Sequence, residues 1–344
     1  MELLVDATTP GGKAVGIAFE DNIQDVLSAF GLPRASEWRL LPKSAAKRDE
    51  LVKVSFADHR PVLIRFHDPG YYRPGAIDCQ TLFRSRLHAG GVPVPALYRH
   101  RAGRFLMDLT WRREIWTVTV EEWIDGEPPH FVTPSLVSIL GRTLGKMHVL
   151  VGGYGPLFGH GTDLSLFGHR DEYHANAGRL RKALEGLGLE MPPSLEDAYK
   201  VARGRLAGLW DDLPAGPVHG DLAEHNLLLD ETENVKAVLD FNLAGDEVFI
   251  NEVVHTCLRL PSFGDESHDR AYTTRFLRAY EEVRPLSVKE RLAAPYLVTV
   301  IRPFRLREVR RIEEAARHGD VGTILRRLNR LTQLADPYRA GFGA

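Results

Sequence analysis

Two short apolar runs, Leu227–Leu229 and Val235–Leu239, are separated by five polar residues, a spacing that predicts a β-hairpin. Asp221 and Asn226 precede the first run, and Asp240 directly follows the second. A hairpin returns the chain to the end from which it started. We therefore expect the side chains of Asp221, Asn226 and Asp240 to converge at one end of the hairpin.

Two carboxylates and an amide suit the transfer of a phosphoryl group to a hydroxyl. Asp221 can orient an acceptor hydroxyl and take its proton. Mg²⁺ prefers oxygen ligands and commonly takes one or two from protein, so Asn226 and Asp240 are the expected metal ligands. The alternative is that Asp221 and Asn226 only stabilise a turn and that Asp240 only ends a strand.

The histidines on either side of Asp221 raise a second alternative, a zinc site formed by His219, Asp221 and His225. The two histidines lack a helical spacing, and no third nitrogen or thiolate ligand lies nearby in the sequence. We instead group His219 with Asp221 as a catalytic-loop residue, where the catalytic loop is residues 219–226. His219 is expected to lock this loop by bonding backbone carbonyl groups.

Composition limits the class of protein. The chain has 344 residues, enough for two domains, and a formal net charge of −2, which gives no bias toward nucleic acid or anionic membranes. Cys79 and Cys257 are far apart in sequence, as expected of free thiols in a reducing compartment. No signal-like or membrane-spanning run occurs, which predicts a cytoplasmic protein. The composition carries no signal for an oligomeric state.

The pattern of elements predicts an α+β fold, with a strand-rich first part and a helix-rich second part. Residues 1–20 are weakly patterned and are assigned as a lead-in. The first part, residues 1–124, is predicted to contain helices at 22–30 and 74–89 and strands at 38–41, 51–56, 62–66, 96–98, 105–109 and 116–123. The second part, residues 125–344, begins at a Gly- and Pro-containing linker, 125–129.

Helical patterns cover most of the second part. Thr133 is the expected N-cap of the first of them. The predicted helices span residues 134–150, 170–187, 195–209, 248–260, 265–283, 287–318 and 321–334.

The motif His219-x-Asp221-x₄-Asn226, followed by Asp240-Phe241, resembles the catalytic loop and metal motif of the aminoglycoside phosphotransferase and choline kinase group. The resemblance extends from about Trp38 to Leu260. It implies a two-lobed, protein-kinase-like fold, with a nucleotide-binding first lobe and a helical second lobe that holds the catalytic loop and the acceptor pocket. It also implies transfer of the γ-phosphate of ATP or GTP, with Mg²⁺, to a small-molecule hydroxyl such as that of an antibiotic, an amino alcohol or a sugar-like metabolite.

The resemblance assigns roles to residues of the first lobe as well. A cation for the α- and β-phosphates falls at Arg65, and its helical partner falls at Gln80. The nucleotide loop is expected at residues 43–49, where Ser44 and Lys47 would contact phosphate. Backbone groups of Glu122 and Ile124 would bond the base. The alternatives are a surface cation on an edge strand, a solvated charged turn and an ordinary strand end.

In the second lobe, the resemblance assigns Asp221 as the catalytic base and Asn226 and Asp240 as the magnesium ligands. It also implies an acid soon after the metal motif that braces the catalytic loop, for which Asn251 and Glu252 are the nearest candidates.

Two opposite hypotheses describe the acceptor pocket. Acids near the catalytic loop, Glu224, Asp246 and Glu247, would attract a cationic amine, unless they are solvated loop residues. Basic residues of the last third would face an anionic group, unless they form the solvated face of a long helix. These basic residues are Arg302, Arg305, Arg307, Arg310 and Arg311. The Gly-rich loop 152–163, with Tyr154, His160 and Asp163, is either a lid or wall of the acceptor site or a surface loop.

Two other functions fit the same motif. One is a protein serine/threonine kinase of the stress-response type. The other is a nucleotide-binding pseudokinase that acts as a partner module, which Gln80 and the absence of glycine from residues 43–49 would favour.

Overall fold

The protein is described from a computed structural model, which covers residues 12–42, 49–111, 113–162, 164–168, 171–260 and 266–342, with backbone alone for 12–20 and 266–269. The described chain forms two compact units. The first comprises the described residues up to Ser85 together with Pro95–Asp125. The second comprises Arg86–Val94 and the described residues from Gly126 onward.

The first unit contains an antiparallel sheet. Its strands are β1 (Glu37–Leu40), β2 (Glu50–Ser55), β3 (Val62–His67), β4 (Leu106–Trp111) and β5 (Glu114–Glu122), in the order β1-β2-β3-β5-β4. Val52 lies opposite Ile64, which in turn lies opposite Val120. Side chains on one face of a sheet alternate with those on the other, so this register aligns one apolar face across three strands.

The helix α1 (Gly12–Ala29) supplies the other half of this core. Ile23, Val26, Leu27 and Phe30 recur every three or four residues, are at most 5% exposed and belong to the same buried cluster as the sheet residues. Burial of each such side chain stabilises the fold by about 1.5–3 kcal/mol. The second helix, α2 (Ala76–Ala89), lies between β3 and β4 in the chain.

The second unit is mostly helical. Its helices are α3 (Pro134–Val151), α4 (Glu172–Glu185), α5 (Pro193–Leu209), α6 (Phe249–Arg259), α7 (Glu266–Glu281), α8 (Val288–Ile301), α9 (Leu306–Arg317) and α10 (Val321–Leu334). Two small antiparallel sheets pair β6 (Ala215–Val218) with β9 (Gly245–Val248) and β7 (Leu227–Leu229) with β8 (Val235–Val238). The predicted hairpin is thus present as β7 and β8. Thr133 caps α3, since its side chain accepts from the N–H of Leu136.

Glycines on α3 set its distance from α7. A Cβ at Gly141 would collide with the carbonyl oxygen of Phe276, and one at Gly145 would lie 3.0 Å from that of Tyr280. Their spacing of four residues puts both on one helix face. This close approach brings the side chains of α3 and α7 into one buried layer.

Several predicted elements differ from the structure. α1 begins at Gly12, inside the predicted lead-in, and the strand predicted at 96–98 is only a bridge between Leu97 and Glu121. β6 and β9 were not predicted, because Ala-Gly-Pro-Val and Gly-Asp-Glu-Val show neither an apolar run nor an alternation of apolar and polar residues. The helix predicted at 287–318 is two helices, α8 and α9, separated at Pro303, which has no N–H to continue the ladder.

None of the helices in the described part of the chain is both long enough and apolar enough to cross a membrane. Neither cysteine is in a disulfide, and Cys257 is buried whereas Cys79 is half-buried.

Candidate active site

The catalytic loop begins where β6 ends, at the fully buried side chain of His219. Its Nε2 lies 2.8 Å from the carbonyl oxygen of Leu239, and its Nδ1 accepts from the N–H of Asp221 at 3.2 Å. This pattern requires the proton on Nε2. Both ring nitrogens are therefore used by backbone, and the ring ties the loop to the residue just before Asp240.

Gly220 is confined by its surroundings. Its φ is 79°, and a Cβ at this position would collide with the carbonyl oxygen of Leu243. Its N–H donates to Glu252 Oε1 at 2.6 Å, and Glu252 is 1% exposed. Asn251 instead donates to the carbonyl oxygen of Leu164 at 3.0 Å. Of the two candidates, Glu252 is therefore the acid that contacts the catalytic loop.

A chain of buried hydrogen bonds holds Glu252 in turn. Its Oε2 accepts from His148 Nε2 at 2.8 Å, and His148 Nδ1 accepts from the Tyr280 hydroxyl at 2.8 Å. Arg284 donates to the Tyr280 oxygen and to Glu290, each at 2.8 Å. Burial lowers the pKa of His148 against the opposing effect of Glu252, which suits a neutral ring that donates once and accepts once. The loop is thus braced by α3, α6, α7 and α8.

Backbone bonds bring Asn226 and Asp240 to the same place. Asn226 Nδ2 donates to the backbone oxygen of Asp221 at 2.8 Å, and the Asn226 carbonyl accepts from the N–H of Leu239 at 2.8 Å. Asp240 follows Leu239 with a φ of 60°, a left-handed conformation that costs a non-glycine residue on the order of 1 kcal/mol. Strain of this kind is tolerated where the surrounding structure enforces it, and it is common at functional sites.

The two predicted metal ligands fit a divalent cation. Asn226 uses its amide nitrogen to bond to Asp221, so the Oδ1 atom of Asn226 takes no part in this contact. The carboxylate of Asp240 makes no hydrogen bond or ion pair with any residue that the structure describes. One amide oxygen and one carboxylate are hard oxygen donors of the kind that Mg²⁺ accepts from proteins.

Arg259, at the end of α6, contacts the predicted base. Its Nη1 is paired with Asp221 Oδ1. The other oxygen, Oδ2, lies 3.4 Å from Asn226 Nδ2 and 3.9 Å from His225 Nε2. A charge-assisted contact of this kind orients a carboxylate. The side chains of Asp221 and Arg259 are 24% and 30% exposed, so the pair is accessible from solvent.

The acids expected to attract an amine have other partners. Asp246 accepts from the N–H groups of Leu157, Phe158 and Gly159 at 2.7–2.8 Å and so fixes part of the Gly-rich loop. Glu247 is buried, and burial raises its pKa to about 7. Asp246 therefore holds a loop of the second unit and Glu247 is buried in it, so neither is free to attract an amine. Glu224, the third predicted acid, begins a 3₁₀ turn. Asp163 lies outside the described residues.

The predicted phosphate contact in the first unit, Arg65, belongs to a buried ionic cluster. Arg65 Nη1 lies 3.4 Å from Asp49 Oδ2, and Nη2 lies 3.6 Å from Glu121 Oε1. Arg84 pairs with the other oxygen of Glu121. The Tyr72 hydroxyl donates to Asp49 at 2.8 Å. We call Asp49, Arg65, His67, Arg84 and Glu121 the first-unit cluster.

The carboxylates of this cluster are ionised although they are buried. Burial by itself would raise the pKa of Asp49, but His67, Arg65 and Tyr72 lower it to about 2. Burial would likewise raise the pKa of Glu121, but Arg84 and Arg65 lower it. Burial lowers the pKa of the His67 ring. Two arginines therefore balance two carboxylates.

The other predicted nucleotide contacts are not part of this ionic cluster. Among the described contacts no hydrogen bond joins Gln80 to Arg65, whose acidic partners are Asp49 and Glu121. The Glu122 N–H is already used by the carbonyl oxygen of Ala96 at 2.8 Å. The backbone groups of Ile124 make no hydrogen bond with described residues. Ser44 and Lys47 lie outside the described residues.

Sequence reasoning missed the partners of Arg65 and Asp221. A sequence signal existed for Glu121, the partner of Arg65. Both residues interrupt the alternation of apolar residues in their strands, so both lie on the sheet face opposite the α1 core. Arg259 had no such signal, because 38 residues separate it from Asp221.

The chain is similar to several known proteins. Residues 43–286, more than half of the chain, match the profile of the phosphotransferase enzyme family. The chain is 27% identical over 213 residues to the homoserine kinase of Afipia carboxidovorans and 29% identical over 214 residues to that of Xanthobacter autotrophicus. The matched regions cover 61% of this chain in both cases, and 60% and 61% of those proteins. The match thus spans less than two thirds of the length of these relatives.

Solved structures show the fold. A microcompartment-associated aminopropanol kinase has a TM-score of 0.57 at 19% identity, covering 93% of this chain and 95% of its own. An aminoglycoside phosphotransferase from Alicyclobacillus acidocaldarius has a TM-score of 0.59 at 15% identity, covering 89% and 96%. These likenesses, with the sheet of the first unit and the helices of the second, confirm the α+β, protein-kinase-like fold. Since the family profile covers most of the chain, the protein belongs to the phosphotransferase enzyme family.

Proposed function

We propose that this protein transfers the γ-phosphoryl group of ATP or GTP to a hydroxyl group of a small molecule. The observation that carries the proposal is the set of bonds through Leu239, which join His219 and Asn226 to the residue preceding Asp240. These bonds gather one carboxylate base candidate and two oxygen donors within a single short hairpin.

Each residue has a defined role in the proposed reaction. Asp221 accepts the hydroxyl proton as the acceptor oxygen bonds to the γ-phosphorus, and the bond to the nucleoside diphosphate breaks. Arg259 orients the Asp221 carboxylate, and Glu252 holds the backbone of Gly220. Asn226 and Asp240 would hold a Mg²⁺ ion, which would neutralise phosphate charge. In the first unit, Arg65 and the backbone of Ile124 are the proposed nucleotide contacts.

The names of similar proteins support a small hydroxyl compound as the acceptor. The curated relatives are homoserine kinases, and the structural neighbours include an aminopropanol kinase. An amicoumacin kinase, solved with AMP-PNP and Ca²⁺, has a TM-score of 0.59 at 13% identity. It supports a nucleoside triphosphate with a divalent ion as the donor.

The test is a nucleotide-consumption screen against amino alcohols, hydroxy amino acids, aminoglycosides, nucleosides and sugars, with the mass of the product measured. Once an acceptor is found, Asp221→Asn should lower kcat by about 10²–10⁴-fold, because the base is lost, while Mg-nucleotide binding stays close to that of the parent.

Glu231→Gln is the matched control, since Glu231 is an exposed acid in the turn of the same hairpin. It should retain the kcat of the parent. A near-parental kcat for Asp221→Asn would show that Asp221 is not the base.

A further inference from the structure

A cavity of about 460 Å³ lies within the second unit, bounded by α6, α7, α10 and the corner between α8 and α9. Its volume suits a small molecule. The described residues that line it include one acid, Glu308. They also include six arginines: Arg259, Arg302, Arg305, Arg307, Arg311 and Arg330.

Some of these arginines have acidic partners. Arg259 is paired with Asp221. Arg307 Nε and Arg311 Nη1 lie 3.4 Å and 3.3 Å from Glu308 Oε1. One buried glutamate therefore contacts two arginines of the wall, and the described part of the lining keeps an excess of positive charge.

Arg305 stands out among them. Its guanidinium makes no hydrogen bond or ion pair with any residue that the structure describes, and the same holds for Arg330 on α10. Burial, together with the charges of Arg307, Arg259 and Arg302, lowers the pKa of Arg305 to about 10. Arg305 is still charged at neutral pH. A cation held among like charges is unfavourable unless an anion neutralises it.

The break at Pro303 creates this arrangement. Arg305 is the residue before α9, and Arg307 and Glu308 lie in its first turn. The positive end of the α9 dipole therefore adds to the charge of the side chains. At this corner Arg302 and Arg305 line the cavity.

Arg259 links the cavity to the reaction. It lines the cavity and it also contacts Asp221, the proposed base. A molecule in the cavity could place a hydroxyl near Asp221 while its other end contacts Arg305. Guanidinium groups match the planar geometry of carboxylates and the oxygens of phosphate.

We infer that this cavity is the acceptor site and that the acceptor carries a carboxylate or phosphate group, bound by Arg305 and Arg330, in addition to the hydroxyl that is phosphorylated. The inference rests on the proposed kinase function. It selects an oxyanion-bearing acceptor over a purely cationic one such as an aminoglycoside.

The first arm of the test measures anion binding without nucleotide or turnover. The thermal midpoint of the parent is followed against malonate and, separately, methyl phosphate, with chloride at matched ionic strength as reference. A bound anion should raise the midpoint, and Arg305→Gln should need at least about tenfold more anion for the same rise, because a charge-assisted contact is lost. The anion whose stabilising effect is weakened more by Arg305→Gln, malonate or methyl phosphate, identifies the oxyanion as a carboxylate or a phosphate.

The matched control is Arg310→Gln, an exposed arginine on the same helix that does not line the cavity. It should respond to anions as the parent does. Arg330→Gln provides a second cavity variant and should weaken the response in the same direction. Phosphate bound at a nucleotide site would respond equally in all of these variants. A parent without an anion-specific response, or an Arg305→Gln response equal to that of the parent, would overturn the inference.

The second arm uses acceptor pairs that differ in the anionic group alone. Homoserine and 3-aminopropan-1-ol differ by a carboxylate, and glycerol 3-phosphate and glycerol differ by a phosphate. The parent should prefer the member that carries the carboxylate or phosphate in one pair, and Arg305→Gln should lower kcat/KM for that member at least about tenfold while leaving the member without that group unchanged.

The two arms separate the two proposals. Turnover limited to acceptors without an oxyanion would overturn the anionic acceptor while leaving the kinase function in place. An anion response that depends on Arg305, with no nucleotide consumed for any acceptor, would support the anion site and contradict the kinase function.

Discussion

The two units of this protein treat buried charge in opposite ways. In the first-unit cluster, Arg65 and Arg84 are balanced by Asp49 and Glu121. In the second unit, Arg305 has no carboxylate partner and Glu247 has no cationic partner among the described residues. Removing one member of a balanced buried pair leaves an uncompensated charge and is strongly destabilising, whereas a buried charge without a partner requires either a ligand or a change of protonation.

The difference concerns how the loss of one charge should be observed. The first-unit cluster joins β3, β5, α2 and the residue before β2, so the loss of one of its carboxylates should appear as lost stability, although Arg65 is also a proposed nucleotide contact. The arginines of the second-unit cavity are crowded at one corner, so the loss of one of them should appear as lost binding. Three further measurements test this contrast between the two units.

Glu121→Gln should have the largest effect on stability. The substitution leaves Arg65 and Arg84 buried with one carboxylate between them, so unfolding should become easier by about 3–5 kcal/mol. Urea denaturation measures the change. Glu114→Gln, an exposed site on the same strand, should lie within about 0.5 kcal/mol of the parent. A loss for Glu121→Gln as small as that would mean that the cluster is not structural.

Glu247→Gln should change how stability depends on pH. Burial raises the pKa of Glu247 from 4.5 to about 7, against opposing hydrogen bonds from Val248, Ser165, Asn251 and Thr162. The folded state therefore holds a proton that the unfolded state has released, and the parent loses stability as pH rises from about 4.5 to 7. Glutamine removes this loss, which is at most about 3 kcal/mol.

The measurement for Glu247 is the free energy of unfolding at pH 5 and pH 8. Relative to the parent, Glu247→Gln should be more stable at pH 8 than at pH 5. Parallel pH profiles for the two proteins would mean that Glu247 ionises normally in the fold.

Asp49→Asn should give a smaller effect of the opposite sign. The pKa of Asp49 is lowered from 3.8 to about 2, so its stabilisation is present above pH 4 and is lost as pH falls toward 2. This amounts to about 2 kcal/mol, which the asparagine variant should lack at neutral pH. Hydrogen exchange at β2 and β3, compared between pH 5 and pH 3, localises the loss to the first unit. Equal acid sensitivity of parent and variant would argue against the assigned cluster.

Much of the fold was readable from the sequence, because the signals are local. The hairpin β7–β8, the N-cap Thr133 and most helices follow from periodicity and turn residues within windows of a few residues. The errors have two sources. Packing extends α1 through a weakly patterned segment, whereas Pro303 is a local signal that was passed over when 287–318 was predicted as one helix from its charge and periodicity.

The residues of the candidate site likewise fall into those that local spacing predicted and one that depends on a distant partner. His219, Asp221, Asn226 and Asp240 are joined by backbone bonds within one short stretch of chain, so their spacing alone was enough to group them. Glu252 could be named in advance only as one of two neighbours. Its selection depends on His148, 104 residues away.

The catalytic loop and the hairpin that carries it could be predicted from the sequence, because residues close in the chain can interact in only a few ways. The cavity could not be predicted in this way, since Arg259, Arg305 and Arg330 come from three different elements. Their long-range electrostatics depends on distances that are set by helix packing and by the corner at Pro303. Charge patterning along one helix cannot distinguish a solvated face from an anion site.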